Sequence, residues 1–269
     1  MKGTGRDSEN LCSELATGSE RVASMLVEHM TWEEYRDEVA RRIIILPVGS
    51  LEQHGPHLPL NVDVVIPTGL AKMLCEELDG MVLPPISYGY KAQAGGQLFP
   101  GTTSLDGATL INLTLDILRE TYRHGGRRFL VLNGHHENTA FVTEAVELFG
   151  RAVSDATVVI LSWWDQLSDE MVDELFAEEG FPGWEIEHAA ITETSLMQYF
   201  APQLVREDRI IDDHSERMPR YSIFPPPDDT IAESGVLYKA TYASREKGEK
   251  LAKQVAATIL QIARQELGS

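Results

Sequence analysis

The sequence predicts an α/β domain in which a mostly parallel sheet is covered by helices on both faces. Two observations carry that expectation. Short apolar, β-rich runs alternate with stretches whose apolar residues recur at helical spacing, and the order is repeatedly strand then helix. With 269 residues, the chain also buries enough apolar surface to do without disulfides. No internal repeat or low-complexity tract divides it. Residues 31–269 are therefore expected to form a single domain, preceded by an N-terminal extension over residues 1–30.

The elements follow in order. Thr31-Trp32-Glu33-Glu34 has the capping-box pattern, in which a threonine and a glutamate three residues apart satisfy each other's free backbone N–H groups. It opens a helix towards Arg41. Ile43–Val48 is apolar and β-rich, a first strand. A helix follows Asp63 and runs through Leu78, with Pro67 in a first turn that tolerates it. Met81–Ile86 reads as a second strand with prolines at its exit. A glycine-rich loop then extends from Tyr88-Gly89-Tyr90 through Gly95-Gly96 to Pro100-Gly101. An amphipathic helix spans about Gly107 to His124, Arg128–Leu132 is a third strand, and Thr139–Val153 is a helix. Thr157–Ser162 is a fourth strand, residues 165–178 are helical, and another helix reaches Phe200 after His188. Residues 205–235 are proline-rich and aperiodic, an arm or loop. The last helix, Ser244–Leu267, places Leu251, Val255, Ile259 and Ile262 at helical spacing.

Composition excludes several function classes. Forty-two acidic against 23 basic residues give a net charge of −19, which repels polyphosphate and leaves no footprint for nucleic acid. No apolar run approaches the length of a membrane span, and Met1 to Glu20 contains no signal-peptide core. Cys12 and Cys75 form no disulfide framework and fit a reducing cytoplasm, the expected location.

Chemistry-bearing residues gather at three strand exits. Gly49-Ser50-Leu51-Glu52-Gln53-His54-Gly55-Pro56-His57 follows the first strand, with Asp63 shortly after. Asn133-Gly134-His135-His136-Glu137-Asn138 follows the third, and Ser162-Trp163-Trp164-Asp165 the fourth. In an open parallel sheet the carboxyl ends of the strands share one edge, and ligands bind in the crevice there, so the three clusters converge. Imidazole and carboxylate donors suit zinc, manganese and similar divalent ions, and a bridging carboxylate holds two ions together. No cysteine joins the clusters, which argues against a closed structural zinc site. Read singly, Asp63 is also a helix N-cap candidate, Asn133-Gly134 an ordinary turn, and His57 an exposed turn histidine. Nucleophilic readings have less support: there is no Gly-x-Ser-x-Gly elbow, Cys75 sits mid-helix on a core face, and no dinucleotide fingerprint follows the first strand.

At these residues the sequence resembles the creatininase (creatinine amidohydrolase) family. Pro47-Val48-Gly49-Ser50-Leu51-Glu52-Gln53-His54-Gly55, with Asn61-Val62-Asp63, matches its leading motif, and Asn133 to Asn138 its second. Glu187-His188 with Glu193-Thr194-Ser195 is similar to its third. Phe99 to Leu105 and Ala243 to Gly248 extend the match, which runs from about Trp32 to the C-terminal helix.

The resemblance implies a three-layer α/β/α fold, a homohexamer, and two divalent ions, zinc and/or manganese. It assigns Glu52, Asp63 and His135 to one ion and His54, Asp63 and Glu137 to the other. Many family members have Gly-Gly after the second-motif histidine, whereas creatinine hydrolysers carry an aromatic residue and then the glutamate that Glu137 matches. Trp164 and Trp184 are similar to the tryptophans that bracket the flat creatinine ring in that branch, and indole faces suit such a ring. His136 stands at the aromatic position and would also touch substrate; the Lys91–Leu98 loop is a few residues shorter than in that branch. The activity implied is reversible hydrolysis of creatinine to creatine by a metal-bridging hydroxide, with His188 as proton donor and Glu187 orienting it or contacting the guanidino nitrogens. Other cyclic amides, formamides and cyclitol ketones are the alternative substrates, and a non-catalytic metal-binding assembly protein the alternative class.

Overall fold

In the computed structural model the residues described are 25–90, 99–215, 221, 223, 227, 230 and 232–268. Most of the expected N-terminal extension, Cys12 and the Lys91–Leu98 loop lie outside them. Among the described residues, Ile43–Val48 (β1) is buried along its whole length, because it runs through the middle of the sheet with neighbours on both sides. Before it, Trp32–Glu38 (α1) starts on the capping box: the Thr31 backbone N–H donates to Glu34 Oε2 at 2.7 Å, and the Glu34 N–H donates back to Thr31 Oγ1 at 3.3 Å.

Val62–Glu77 (α2) leads to Gly80–Val82 (β2), and Gly107–Arg123 (α3) leads to Arg128–Asn133 (β5). Thr139–Ala152 (α4) then leads to Thr157–Ser162 (β6). The four strands are parallel in the order β2-β1-β5-β6. From β1 the chain winds outward to β2, and from β5 it winds the opposite way to β6. Right-handed crossovers in opposite directions put their helices on opposite faces. Accordingly α2 packs with Ile43, Ile45, Leu130 and Leu132 through Leu70 and Leu74. By contrast α4 packs with Ile44, Leu46, Phe129 and Val131 through Val142 and Phe149, beside Leu118 of α3. Ile191–Phe200 (α6) and Arg245–Leu267 (α7) complete the first face with Leu196, Val255 and Ile259. The result is the three-layer α/β/α arrangement.

Several segments differ locally from expectation. The second strand stops at Val82, since Pro84 and Pro85 have no N–H to extend a ladder. Its continuation still touches β1, with Leu83 N–H donating to Ile45 O and Ile86 N–H to Pro47 O. Gly89–Tyr90 (β3), in the glycine-rich loop, pairs in parallel with Ser104–Leu105 (β4), just beyond it. The helix expected over 165–178 divides into a single turn at Trp164–Gln166 and Asp169–Leu175 (α5), which Ser168 caps through the Met171 N–H.

The register places the functional edge. Val48 pairs with Asn133, and Asn133 with Ser162, so the three polar clusters leave the sheet along one line. The order of strands reverses between β1 and β5, which makes that gap the crevice where a ligand belongs.

Helices α6 and α7 touch backbone to backbone at Gly248, where an added Cβ would lie 1.9 Å from the Ser195 carbonyl oxygen. Alanine ordinarily stabilises a helix interior relative to glycine by about 1 kcal/mol. Here overpacking decides the sign, and Gly248→Ala should destabilise the protein by about 1–3 kcal/mol. Chemical denaturation would measure it; a stabilised variant would show that the helices are not held this close.

Candidate metal centre

The site begins with two glycines. An added Cβ on Gly49, at the exit of β1, would lie 2.4 Å from the Asp63 carbonyl oxygen. On Gly134, at the exit of β5, it would lie 2.3 Å from the same atom. The first turn of α2 is therefore seated in the β1/β5 crevice, and Asp63 comes with it. Asp63 is not the N-cap: it stands inside α2, and the Asn61 side chain at the cap position makes no capping hydrogen bond.

Asp63 is 2% exposed and reaches two imidazoles. Its Oδ1 is 3.1 Å from His54 Nε2, and its Oδ2 is 3.1 Å from His135 Nδ1. Glu52 Oε2 also stands 3.1 Å from His135 Nδ1. Glu52, Asp63 and His135 thus form one buried donor group, and His54, Asp63 and Glu193 form another. Glu52, His54 and His188 form a third, sharing members with both. His54 Nε2 and Asp63 Oδ2 are buried yet have no hydrogen-bond partner, although both lie among charged neighbours. Buried polar atoms are rarely left so. Oxygen and imidazole donors in this number fit two divalent ions of the zinc or manganese type.

Glu137 occupies a different place. Its Oε2 lies 3.4 Å from His135 Nε2, the ring nitrogen opposite the one that faces Glu52 and Asp63, and its side chain is 25% exposed. His135 Nε2 also meets the Tyr90 carbonyl at 3.1 Å.

The asparagines of the second motif build the turn. Asn133 Nδ2 donates to His135 O and Ser162 Oγ, and Asn133 Oδ1 accepts from His135 N–H. Asn138 accepts from Tyr90 N–H and donates to Gly49 O, tying β3 to the exit of β1.

His188 is half-buried and stacks on His54 with ring centroids 4.4 Å apart. Its Nε2 lies 3.0 Å from both the Gln53 carbonyl oxygen and Gln53 Nε2. Gln53 Nε2 also donates to Gly235 O, and Leu237 N–H donates to His188 O, so the segment before α7 braces the third motif. Glu187 points elsewhere. Its carboxylate accepts from the Thr192 N–H and hydroxyl at the start of α6.

Trp164 and Trp184 do not meet in this structure. Trp163, buried in the core, meets the ring of each, with centroid distances of 5.7 Å and 6.5 Å respectively. His136 is exposed, its ring 6.0 Å from that of Trp164.

Electrostatics follow from burying so many charges together. Burial opposes ionisation of His54, but Asp63 and Glu193 outweigh it and raise its pKa well above the ordinary range. Burial likewise opposes protonation of His135, while Glu52 and Glu137 raise it. Glu52 and Asp63 are correspondingly held low against the burial cost, by His135 with His188 and by His54 with His135 respectively. Glu187 lacks such a partner: burial, and then the nearby Glu193, push it up to about 8.

Sequence reasoning had placed Glu193 in a motif without a role, and it missed Gln53 as the partner of His188. An acid in the first turn of a helix reads as a complement to the helix dipole, and that ordinary explanation hides its approach to His54.

The chain is similar to known proteins along most of its length. A family profile described as creatinine amidohydrolase matches residues 28–263. The chain is 45% identical over 236 residues to creatinine amidohydrolase of Pseudomonas putida, covering 84% of this chain and 91% of that one. It is 30% identical over 219 residues to a mycofactocin precursor peptide peptidase of Mycolicibacterium smegmatis, covering 78% of this chain and 79% of the relative. Among solved structures, a creatinine amidohydrolase superposes with a TM-score of 0.86 at 42% identity, over 91% of this chain and 98% of the other. Further creatininase structures include a manganese form, a Zn-Zn form of a mutant, and a mutant complexed with creatine.

His57, open to either reading from sequence, is buried beneath the centre. Its Nε2 is 2.9 Å from Thr194 Oγ1, and its Nδ1 has no partner. Burial, with the charge on His54, lowers its pKa from 6.5 to about 4. The folded protein keeps it neutral while the unfolded chain protonates it below about 6.5, so its stabilising contribution is complete above that pH and is lost as pH falls towards 4. Thermal unfolding of wild type and His57→Gln should therefore show a Tm difference that shrinks between pH 7 and pH 4.5. A constant difference would mean that His57 titrates alike in both states.

Proposed function

The chain belongs to the creatininase family, and on that premise we propose that it is a divalent-metal hydrolase that opens the lactam ring of creatinine to give creatine, reversibly. The observation that carries the proposal is the convergence of Glu52, His54, Asp63 and His135 on one buried point at the β1/β5 crevice. The likeness to a creatinine amidohydrolase along nearly the whole of both chains supports the substrate. Relatives solved with manganese, with zinc and with creatine support the cofactors and the small-molecule partner.

Glu52, Asp63 and His135 would hold one ion, and His54 and Asp63 the second, with Glu137 as the carboxylate that the family pattern adds. Two such ions, when bound, polarise a carbonyl and lower the pKa of water so that it attacks at neutral pH. The chain's own groups do the rest. Water oxygen adds to the lactam carbonyl carbon, the ring C–N bond breaks, and His188 delivers a proton to the departing nitrogen. Gln53 holds that imidazole through its main chain and its amide.

Glu187, whose carboxyl burial pushes up to about 8, either donates to a substrate nitrogen or holds the start of α6. Trp164, Trp184 and His136 form the aromatic wall for a flat, partly cationic ring, the imidazole of His136 standing beside the Trp164 indole. The homohexamer belongs to the same reading and rests on the family likeness, while the cytoplasmic setting rests on two cysteines that suggest no disulfide framework. No helix among the described residues is long and apolar enough to cross a membrane.

Purified protein supplied with manganese or zinc should release creatine from creatinine, and chelator-stripped protein should not. Absence of turnover by the reloaded protein would sink the proposal. His188→Ala should lower kcat by roughly 10²–10⁴-fold with the metal content unchanged. Trp184→Ala should act mainly through KM; an unchanged KM would remove Trp184 from the substrate wall.

A further inference from the structure

We infer that Tyr238 is a positioning residue for substrate binding: its hydroxyl fixes the turn that leads to Trp184 and ties it to the segment that braces His188. The inference rests on the place given to Trp184 in the substrate wall above, and adds what holds that indole there.

Trp184 stands in the stretch between α5 and α6, which closes on itself through local hydrogen bonds. The turn after α5 forms when the Gly180 N–H donates to Phe176 O at 2.8 Å. Gly180 and Gly183 have φ values of 77° and 97°, in the left-handed region that favours glycine. A Cβ added to either would meet nothing within 4 Å, so packing does not hold the backbone at these two positions. Beyond them, the Ile186 and Glu187 N–H groups each lie 3.1 Å from Gly183 O, closing a second turn beside His188. Between the two turns, the exposed Phe181 ring meets the Trp184 indole edge-on, with centroids 4.7 Å apart.

Tyr238 supplies a hold from outside. Its hydroxyl donates to Glu179 O at 2.7 Å and stands 3.0 Å from Gly180 O, so one group meets two successive carbonyls at the bend. Its ring and the Trp184 indole pack against the same core cluster. One residue earlier, the Leu237 N–H donates to His188 O at 3.1 Å, and Gly235 O accepts from the Gln53 amide at 3.0 Å. The segment 235–238 therefore touches both the proton donor and the turn that carries the indole, and sets one against the other.

A flat ring binds best to an indole that is already in place. When only a fraction of the molecules hold the binding geometry, apparent affinity falls by that fraction. Tyr238→Phe removes the hydroxyl and keeps the ring, so the core packing and the backbone brace on His188 remain and the fold should persist. The turn loses its tie, and the loss falls on binding rather than on proton delivery.

Steady-state kinetics of the metal-loaded enzyme on creatinine test this. Tyr238→Phe should raise KM roughly 2–10-fold, the range that one hydrogen bond is worth, with kcat within about twofold of wild type. In a Trp184→Ala background the same substitution should leave KM unchanged, because the residue it positions has gone. Tyr242 is the control. Its hydroxyl also reaches this turn, but through the Glu179 side chain at the surface, and Tyr242→Phe should leave KM as it is.

A purely structural tie predicts instead a lower Tm and an unchanged KM for Tyr238→Phe. That result would overturn the inference and leave the proposed function standing. So would an equal rise in KM with and without the Trp184 indole, a fall in kcat alone, or an equal rise from Tyr242→Phe. An unchanged KM in Trp184→Ala itself would remove Trp184 from the wall and the inference with it, while hydrolysis stands. Failure of wild type to open creatinine would overturn the proposed function and the inference together.

Discussion

Everything at the centre depends on how closely the start of α2 approaches the sheet. Gly49 and Gly134 have no side chains where the Asp63 carbonyl sits, and any Cβ there would collide with it. These two positions lie at the exits of neighbouring strands in the topological gap of the sheet. Because the helix backbone enters that gap, a carboxylate on its first turn reaches imidazoles from both flanking strands at once. The reach of Asp63 to both imidazoles is thus a property of backbone packing before it is a property of the aspartate.

The same closeness creates an electrostatic problem that the protein solves by pairing. Carboxylates and imidazoles at the centre are buried together, and each group's burial cost is offset by a partner of opposite charge. Glu187 lies at the margin of that pairing and remains the acid whose proton is held most tightly. Divalent cations would take over the task of the imidazole protons, with the orphaned Nε2 of His54 and Oδ2 of Asp63 as the first atoms to gain a partner.

Much of the fold was legible because strand and helix leave different periodicities. β1 and β6 have the predicted bounds, and β5 differs by one residue. Convergence of Glu52, His54, Asp63 and His135 followed from the rule that parallel strands share a carboxyl edge. Rotamers and close approach were not legible. Spacing alone does not say that Glu137 turns to the far side of His135, that Glu187 folds onto Thr192, or that Trp163 contacts two other indoles. Proline placement shortened β2 more than its apolar pattern suggested, and a strand in the glycine loop formed a short pair whose register depends on contacts from distant segments.

The brace between Gln53, His188 and the Gly235–Leu237 segment has a consequence for the order in which the molecule matures. A nascent chain emerging from the ribosome delivers Glu52, His54 and Asp63 early, alongside β1 and α2. The imidazole of His135 arrives only with β5, and the clamp on His188 only when little more than α7 remains to be made. Domains generally fold as units during synthesis. A product truncated before Gly235 therefore carries Glu52, His54, Asp63 and His135 without the segment that braces His188.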